Sequence, residues 1–133
     1  MRPRRMSAAA TLLAALAAAV PAQAAGAPPI RPGGLVLTVD PQAHPDRDRS
    51  VLLRCAPEED EGAHPEAAAA CRALQRAGGR FDHLDGEPRA CTRQSDPVLV
   101  TVGGTWGGRP THWARTFANA CSLDAATGPV FRF

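Results

Sequence analysis

Apolar residues in this chain come as short runs separated by polar, Gly- and Pro-rich stretches, and each run carries its own period. Leu35-Val36-Leu37-Thr38-Val39 ends at Asp40-Pro41 and predicts a buried strand. A polar loop over 42–50 leads to a second predicted strand, Val51-Leu52-Leu53-Arg54-Cys55. Ala67, Ala70, Cys71, Leu74 and Ala77 then recur at helical spacing. Pro65 stands at the first helical position with Glu66 in the first turn, and Gly78-Gly79 supplies the stop. Pro97-Val98-Leu99-Val100-Thr101-Val102 predicts a third strand that turns at Gly103-Gly104. A fourth runs from Thr111 to Phe117 behind a Gly107-Gly108 turn, and its alternation puts Trp113 and Phe117 on one face. Val130-Phe131-Arg132-Phe133 reads as a short closing strand. Four or five strands around one central helix make an α+β domain with an antiparallel sheet.

Two stretches do not fit this alternation. Residues 78–96 (GGRFDHLDGEPRACTRQSD) have almost no apolar period, and a loop of that length in a compact domain is usually functional or disordered. Cys91 in its middle argues against disorder. At the other end of the chain, Arg2, Arg4 and Arg5 precede an apolar run from Met6 to Val20, followed by Pro21-Ala22-Gln23-Ala24-Ala25. A basic head, an apolar stretch and a small-x-small site read as a secretory signal peptide over residues 1–24, too short for a membrane span. Residues 25–34 (AGAPPIRPGG) form a flexible leader.

Export changes what the composition means. All basic residues are Arg, and the formal net charge of +2 belongs to the 133-residue precursor. Without residues 1–24, twelve Arg face thirteen acidic residues, interspersed along the chain. A nucleic-acid binder needs a basic stripe, which is not there, and no membrane role is expected of the mature form. The four cysteines, Cys55, Cys71, Cys91 and Cys121, all follow the leader, where an oxidising exterior lets disulfides persist. They contain no close Cys-x-x-Cys pair for a metal. Four cysteines allow three pairings and sequence alone does not choose; the sequential pairing is the working expectation. Each such loop closure is worth roughly 3 kcal/mol on the chain-entropy model.

Candidate chemistry is sparse. His44, His64, His83 and His112 are far apart in sequence and read as ordinary surface histidines, the first two in turns before Pro. The acidic run Glu58-Glu59-Asp60-Glu61 lacks an EF-hand pattern and reads as solvated. Ser50, Ser95 and Ser122 sit in no nucleophile elbow, and oxidised cysteines leave no thiolate, so neither an enzyme nor a metal or other cofactor is expected. What remains is Arg89-Ala90-Cys91-Thr92-Arg93-Gln94-Ser95-Asp96-Pro97. It sets Arg93 two residues after a pinned cysteine and four before the Pro that opens a strand. A loop fastened at both ends is pre-organised for binding.

Four stretches together resemble the Streptomyces subtilisin inhibitor family of secreted protease inhibitors. They are Leu35–Val39; Val51–Pro57 with Gly62-Ala63-His64-Pro65; Asp96–Val102 with Gly104 and Trp106; and Arg115–Cys121 ending in Val130–Phe133. The resemblance spans Leu35 to Phe133, the predicted domain, and includes the cysteine spacing. It implies bridges Cys55–Cys71 and Cys91–Cys121, a five-stranded antiparallel sheet with one main and one short second helix, and a homodimer joined through sheet faces. It also implies substrate-like inhibition with Arg93–Gln94 as the reactive bond. Ala90, Cys91, Thr92, Ser95 and Asp96 would be the protease-contacting loop, and Asn119 its support. Where the family can carry Met and Pro, this chain has Arg93 preceded by Thr92. Arg suits a specificity pocket with Asp at its base, so trypsin-like proteases are the expected first targets and subtilisin-like ones the second. The alternative is a secreted binding protein, a metalloprotease inhibitor or a transglutaminase substrate, with Gln42, Gln75 and Gln94 as acyl donors.

Overall fold

The computed structural model describes residues 33–55 and 63–133; the predicted signal peptide, most of the leader and the acidic run 58–61 lie outside the described residues. Strands β1 (Leu35–Pro41), β2 (Arg49–Leu53), β3 (Val98–Trp106) and β4 (Arg109–Phe117) form one antiparallel sheet in the order β2-β1-β3-β4. The apolar runs make the two inner strands, because only there are both backbone edges paired and one whole side-chain row buried. Leu37 and Val39 of β1 lie beside Val102 and Val100 of β3, and with Leu35 and Val98 they make one buried row. This is the period of two that a half-buried sheet requires. Helix α1 (Ala67–Arg76) covers that face with Ala67, Ala70, Cys71, Ala73 and Leu74, and the Cys55–Cys71 disulfide ties it to the end of β2. A second helix, α2 (Ala120–Thr127), follows β4 directly.

Among the described residues the sheet has four strands, not the expected five. Val130–Phe133 is not a strand: Gly128–Phe131 form a 3-10 turn after α2. Pro129 has no N–H to give a sheet ladder, and Val130 and Phe131 are buried consecutively, which a half-buried strand does not allow. The Gly103-Gly104 pair is not a turn but lies within β3. A Cβ on Gly104, whose φ is +142°, would meet the Gly34 carbonyl at 2.2 Å, so glycine here serves a close approach of β1. The hairpin turns instead at Gly107-Gly108, as predicted, both with positive φ. Helix α1 opens at Ala67, two residues later than expected, with Glu66 at the cap.

His64 is a further correction. Its sequence context suggested an exposed turn, yet it is only 4% exposed. Its Nδ1 accepts from the Glu66 N–H at 3.0 Å, so Nε2 carries the proton and donates to the Val130 carbonyl at 2.9 Å. The ring thus joins the start of α1 to the C-terminal 3-10 turn, and Phe133 packs on it edge-on. The loop after α1 is also more ordered than its lack of period implies. Phe81–His83 form a 3-10 turn in which Phe81 stacks on Trp113 at 5.3 Å, while Trp113 Nε1–H donates to Asp82.

Candidate functional site

Four consecutive residues, Thr92, Arg93, Gln94 and Ser95, are exposed between half-buried Cys91 and Asp96. What fixes this short span is the N-terminal turn of α2. β4 ends at buried Phe117, and Asn119 caps the helix: its Oδ1 accepts from the Ser122 N–H and from the Ser122 hydroxyl, each at 2.9 Å. That leaves the amide's two N–H bonds for other partners. Nδ2 donates to the carbonyl of Thr92 at 3.1 Å and to that of Gln94 at 2.8 Å. One buried side chain therefore holds the carbonyls on both sides of Arg93 while the Arg93 carbonyl stays out of its grip. The acceptors on both sides also fix which end of the amide is nitrogen.

The span is anchored outward in both directions. On one side Cys91 is bridged to Cys121 in the first turn of α2, with Cα atoms 5.7 Å apart. On the other, the Asp96 N–H donates to the Ala118 carbonyl at 2.9 Å, and the Gln42 N–H donates to the Pro97 carbonyl at 2.9 Å. The approach from Gly86 is fastened to α2 as well. The Glu87 N–H donates to the Ala125 carbonyl at 2.9 Å, and Arg89 pairs with Asp124. Arg132 bonds both Asp124 and Glu87, reaching Glu87 Oε2 at 2.6 Å. Hydrogen bonding to Arg132 lowers the Glu87 pKa, and the charges of Arg132 and Arg89 act in the same direction; Arg132 is raised in return.

The structure thus brings together Ala90, Cys91, Thr92, Arg93, Gln94, Ser95, Asp96 and Asn119, and it contains both expected disulfides, Cys55–Cys71 and Cys91–Cys121. Gln75 lies apart on α1. Ser122, Asp124, Glu87 and Arg132 were not anticipated. The first had only a partial signal: Asn119 before Ala120 is an N-cap residue type, but Ser122 is not the Glu or Gln that completes a capping box. Asp124 follows from the next helical turn after Cys121, but its arginine partners come from distant segments. With every cysteine bridged and Ser122 bonded to Asn119, the site holds no activated nucleophile.

Comparisons with known proteins give the family of the chain. The family model described as subtilisin inhibitor-like matches residues 31–119. Subtilisin inhibitor-like protein 2 of Streptomyces rochei is 46% identical over 106 residues, covering 77% of this chain and 93% of that protein. Plasminostreptin of Streptomyces antifibrinolyticus is 45% identical over 107 residues, covering 77% and 96%. Among solved structures, Streptomyces caespitosus sermetstatin in complex with Bacillus licheniformis subtilisin matches with a TM-score of 0.62 at 35% identity, over 76% of this chain and 98% of that one. The chain belongs to the subtilisin inhibitor-like family, a family of protease inhibitors and not of enzymes.

Proposed function

We propose that the mature protein is a secreted inhibitor that offers the Arg93–Gln94 bond to serine proteases as a substrate and then resists its loss. The observation that carries this reading is the Asn119 side chain, bonded to the carbonyls of Thr92 and Gln94 on either side of Arg93. A protease serine attacks the Arg93 carbonyl, the Arg93–Gln94 C–N bond breaks, and Gln94 becomes the leaving amine. In an ordinary peptide that amine diffuses away. Here Asn119 holds Gln94, Asp96 is bonded to Ala118, and Cys91 is bridged to Cys121. The amine stays at high effective concentration beside the acyl group, so religation competes with hydrolysis. The little freedom left to the span also means that binding loses little entropy on ordering it, which favours tight association through main-chain hydrogen bonds.

Arg93, exposed and in no ion pair among the described residues, suits a specificity pocket with a buried Asp, as in trypsin-like enzymes. Subtilisin-like proteases are the second target class; the similarity to sermetstatin, solved with subtilisin, supports them. A homodimer through the sheet is part of the same reading. On the face opposite α1, Val36 is 48% exposed and pairs across the sheet with Leu52. Light scattering of the mature chain tests it, and a monomeric mass in dilute solution removes it.

The function itself is tested by titrating active-site-counted trypsin, with subtilisin in parallel, using residues 25–133 and their Arg93→Ala variant. The wild type should abolish trypsin activity near one equivalent, whereas Arg93→Ala should lose trypsin inhibition with its thermal midpoint unchanged. Equal inhibition by both proteins would remove Arg93 from the site.

A further inference from the structure

The segment that reaches the proposed reactive bond contains two arginines, Arg89 and Arg93, and a pocket that accepts one side chain would accept the other. Their surroundings differ. Arg93 enters no ion pair among the described residues. Arg89 is paired with one carboxylate oxygen of Asp124, whose side chain is only 25% exposed and bonds Arg132 separately through the other. The chain on either side of Arg89 is fastened to the same helix, at Glu87 by its N–H to the Ala125 carbonyl and at Cys91 by the bridge to Cys121. Alternate residues 87, 89 and 91 thus meet 125, 124 and 121 of α2, running the opposite way. Positions i, i+3 and i+4 share one face of a helix, so the three attachments form one ladder with the Arg89–Asp124 pair as its middle rung.

We propose that Asp124 is a specificity-determining residue: by engaging Arg89 it keeps that arginine out of the protease's pocket and leaves Arg93 as the single cleavage point. The inference rests on the reading of Arg93–Gln94 as the presented bond. For Arg89 to be taken, its guanidinium must leave Asp124 and the chain must rise off α2 between two fixed neighbours. Hydrolysis there consumes one water and leaves a carboxylate on Arg89 and an amine on Ala90. Asn119 bridges the carbonyls around Arg93 and does not reach those around Arg89. No side chain joins the two new ends as Asn119 joins those at Arg93, so the cut is not resealed; the loop loses its upstream hold through Glu87 and Arg89, and inhibition decays.

The test uses the mature chain and its Asp124→Asn, Arg132→Gln and Asp124→Asn/Arg89→Gln variants, each incubated with catalytic trypsin. Cuts are mapped by mass spectrometry after reduction, and residual inhibition is followed over hours. The wild type and Arg132→Gln should be cut at Arg93–Gln94 alone. Asp124→Asn should add a cut at Arg89–Ala90 and lose inhibition on the order of five-fold faster, the factor for an ion pair at the upper end of the exposed range. The double variant, with no arginine to expose, should recover lasting inhibition. The inference is overturned if Asp124→Asn is cut only at Arg93 with wild-type persistence, or if Arg132→Gln opens Arg89 equally. It is also overturned if the double variant decays as fast as Asp124→Asn, which would mean a loosened fold and not a released arginine. A wild type that never inhibits trypsin removes the reading of Arg93 and this inference with it.

Discussion

A primary amide has two N–H donors and a carbonyl with two lone pairs, and Asn119 uses all of them. No other side chain of similar size could cap α2 and hold two loop carbonyls together. The two duties separate by substitution. Asn119→Asp keeps an oxygen for the cap but has no N–H for the loop; Asn119→Ala has neither. In denaturant titrations Asn119→Ala should cost about 1–3 kcal/mol, combining a lost cap with unpaired groups, and Asn119→Asp distinctly less. Both should be cut by trypsin faster than wild type, as chromatography of the nicked form would record. His64 makes the same point about the limits of sequence. A His-Pro pair in a polar stretch says turn, and nothing nearby reveals that Val130 supplies its acceptor from 66 residues away. His64→Ala leaves that carbonyl buried and unpaired, so a destabilisation of about 2 kcal/mol is expected, with inhibition by the folded fraction unchanged.

At the scale of elements, α1 and the inner strands were legible because a single period governs each of them over many residues. α2 was not, because in eight residues it buries only Leu123 and Thr127, too few to display a helical period. Only the resemblance anticipated a short second helix. The Val130–Phe133 strand failed for the reverse reason: apolar residues near Arg132 imitate alternation, while their partners α1 and α2 call for consecutive burial. On the proposed function α2 matters most, since the loop is fastened along it. Replacing Cys91 and Cys121 together by Ser should cost about 3 kcal/mol on the chain-entropy model and turn lasting inhibition into cleavage, read by denaturation and by a trypsin time course. The Glu87–Arg132 pair contributes a pH dependence. Because the Glu87 pKa is lowered in the folded protein, its stabilisation is present above the ordinary carboxylate pKa and is lost as pH falls through the lowered value. The thermal midpoint of Glu87→Gln should therefore lie below wild type at pH 7, and the gap should close as the pH falls below the ordinary carboxylate range.

For the whole molecule, sheet, helix and bridges serve to hold a few exposed residues still. β3 begins two residues after Asp96 and β4 ends two residues before Asn119, so both sides of the loop hang from neighbouring strands in register, Val98 opposite Phe117. Two disulfides and a modest core supply the rigidity that a chain of this size needs to keep a loop in one conformation. The presented segment was readable because Arg93 stands between a pinned cysteine and a strand-opening proline in a stretch without apolar period. The ion pairs behind it were not, because they join Glu87, Arg89, Asp124 and Arg132 across the fold. The central claim is that the Arg93–Gln94 bond is attacked yet retained. It is tested most directly by incubating residues 25–133 with catalytic trypsin until no further change and measuring the fractions of intact and Arg93-cut protein. The account predicts a stable mixture, reached from either the intact or the cut form, with inhibition undiminished. Complete conversion to cut protein with return of trypsin activity would contradict it.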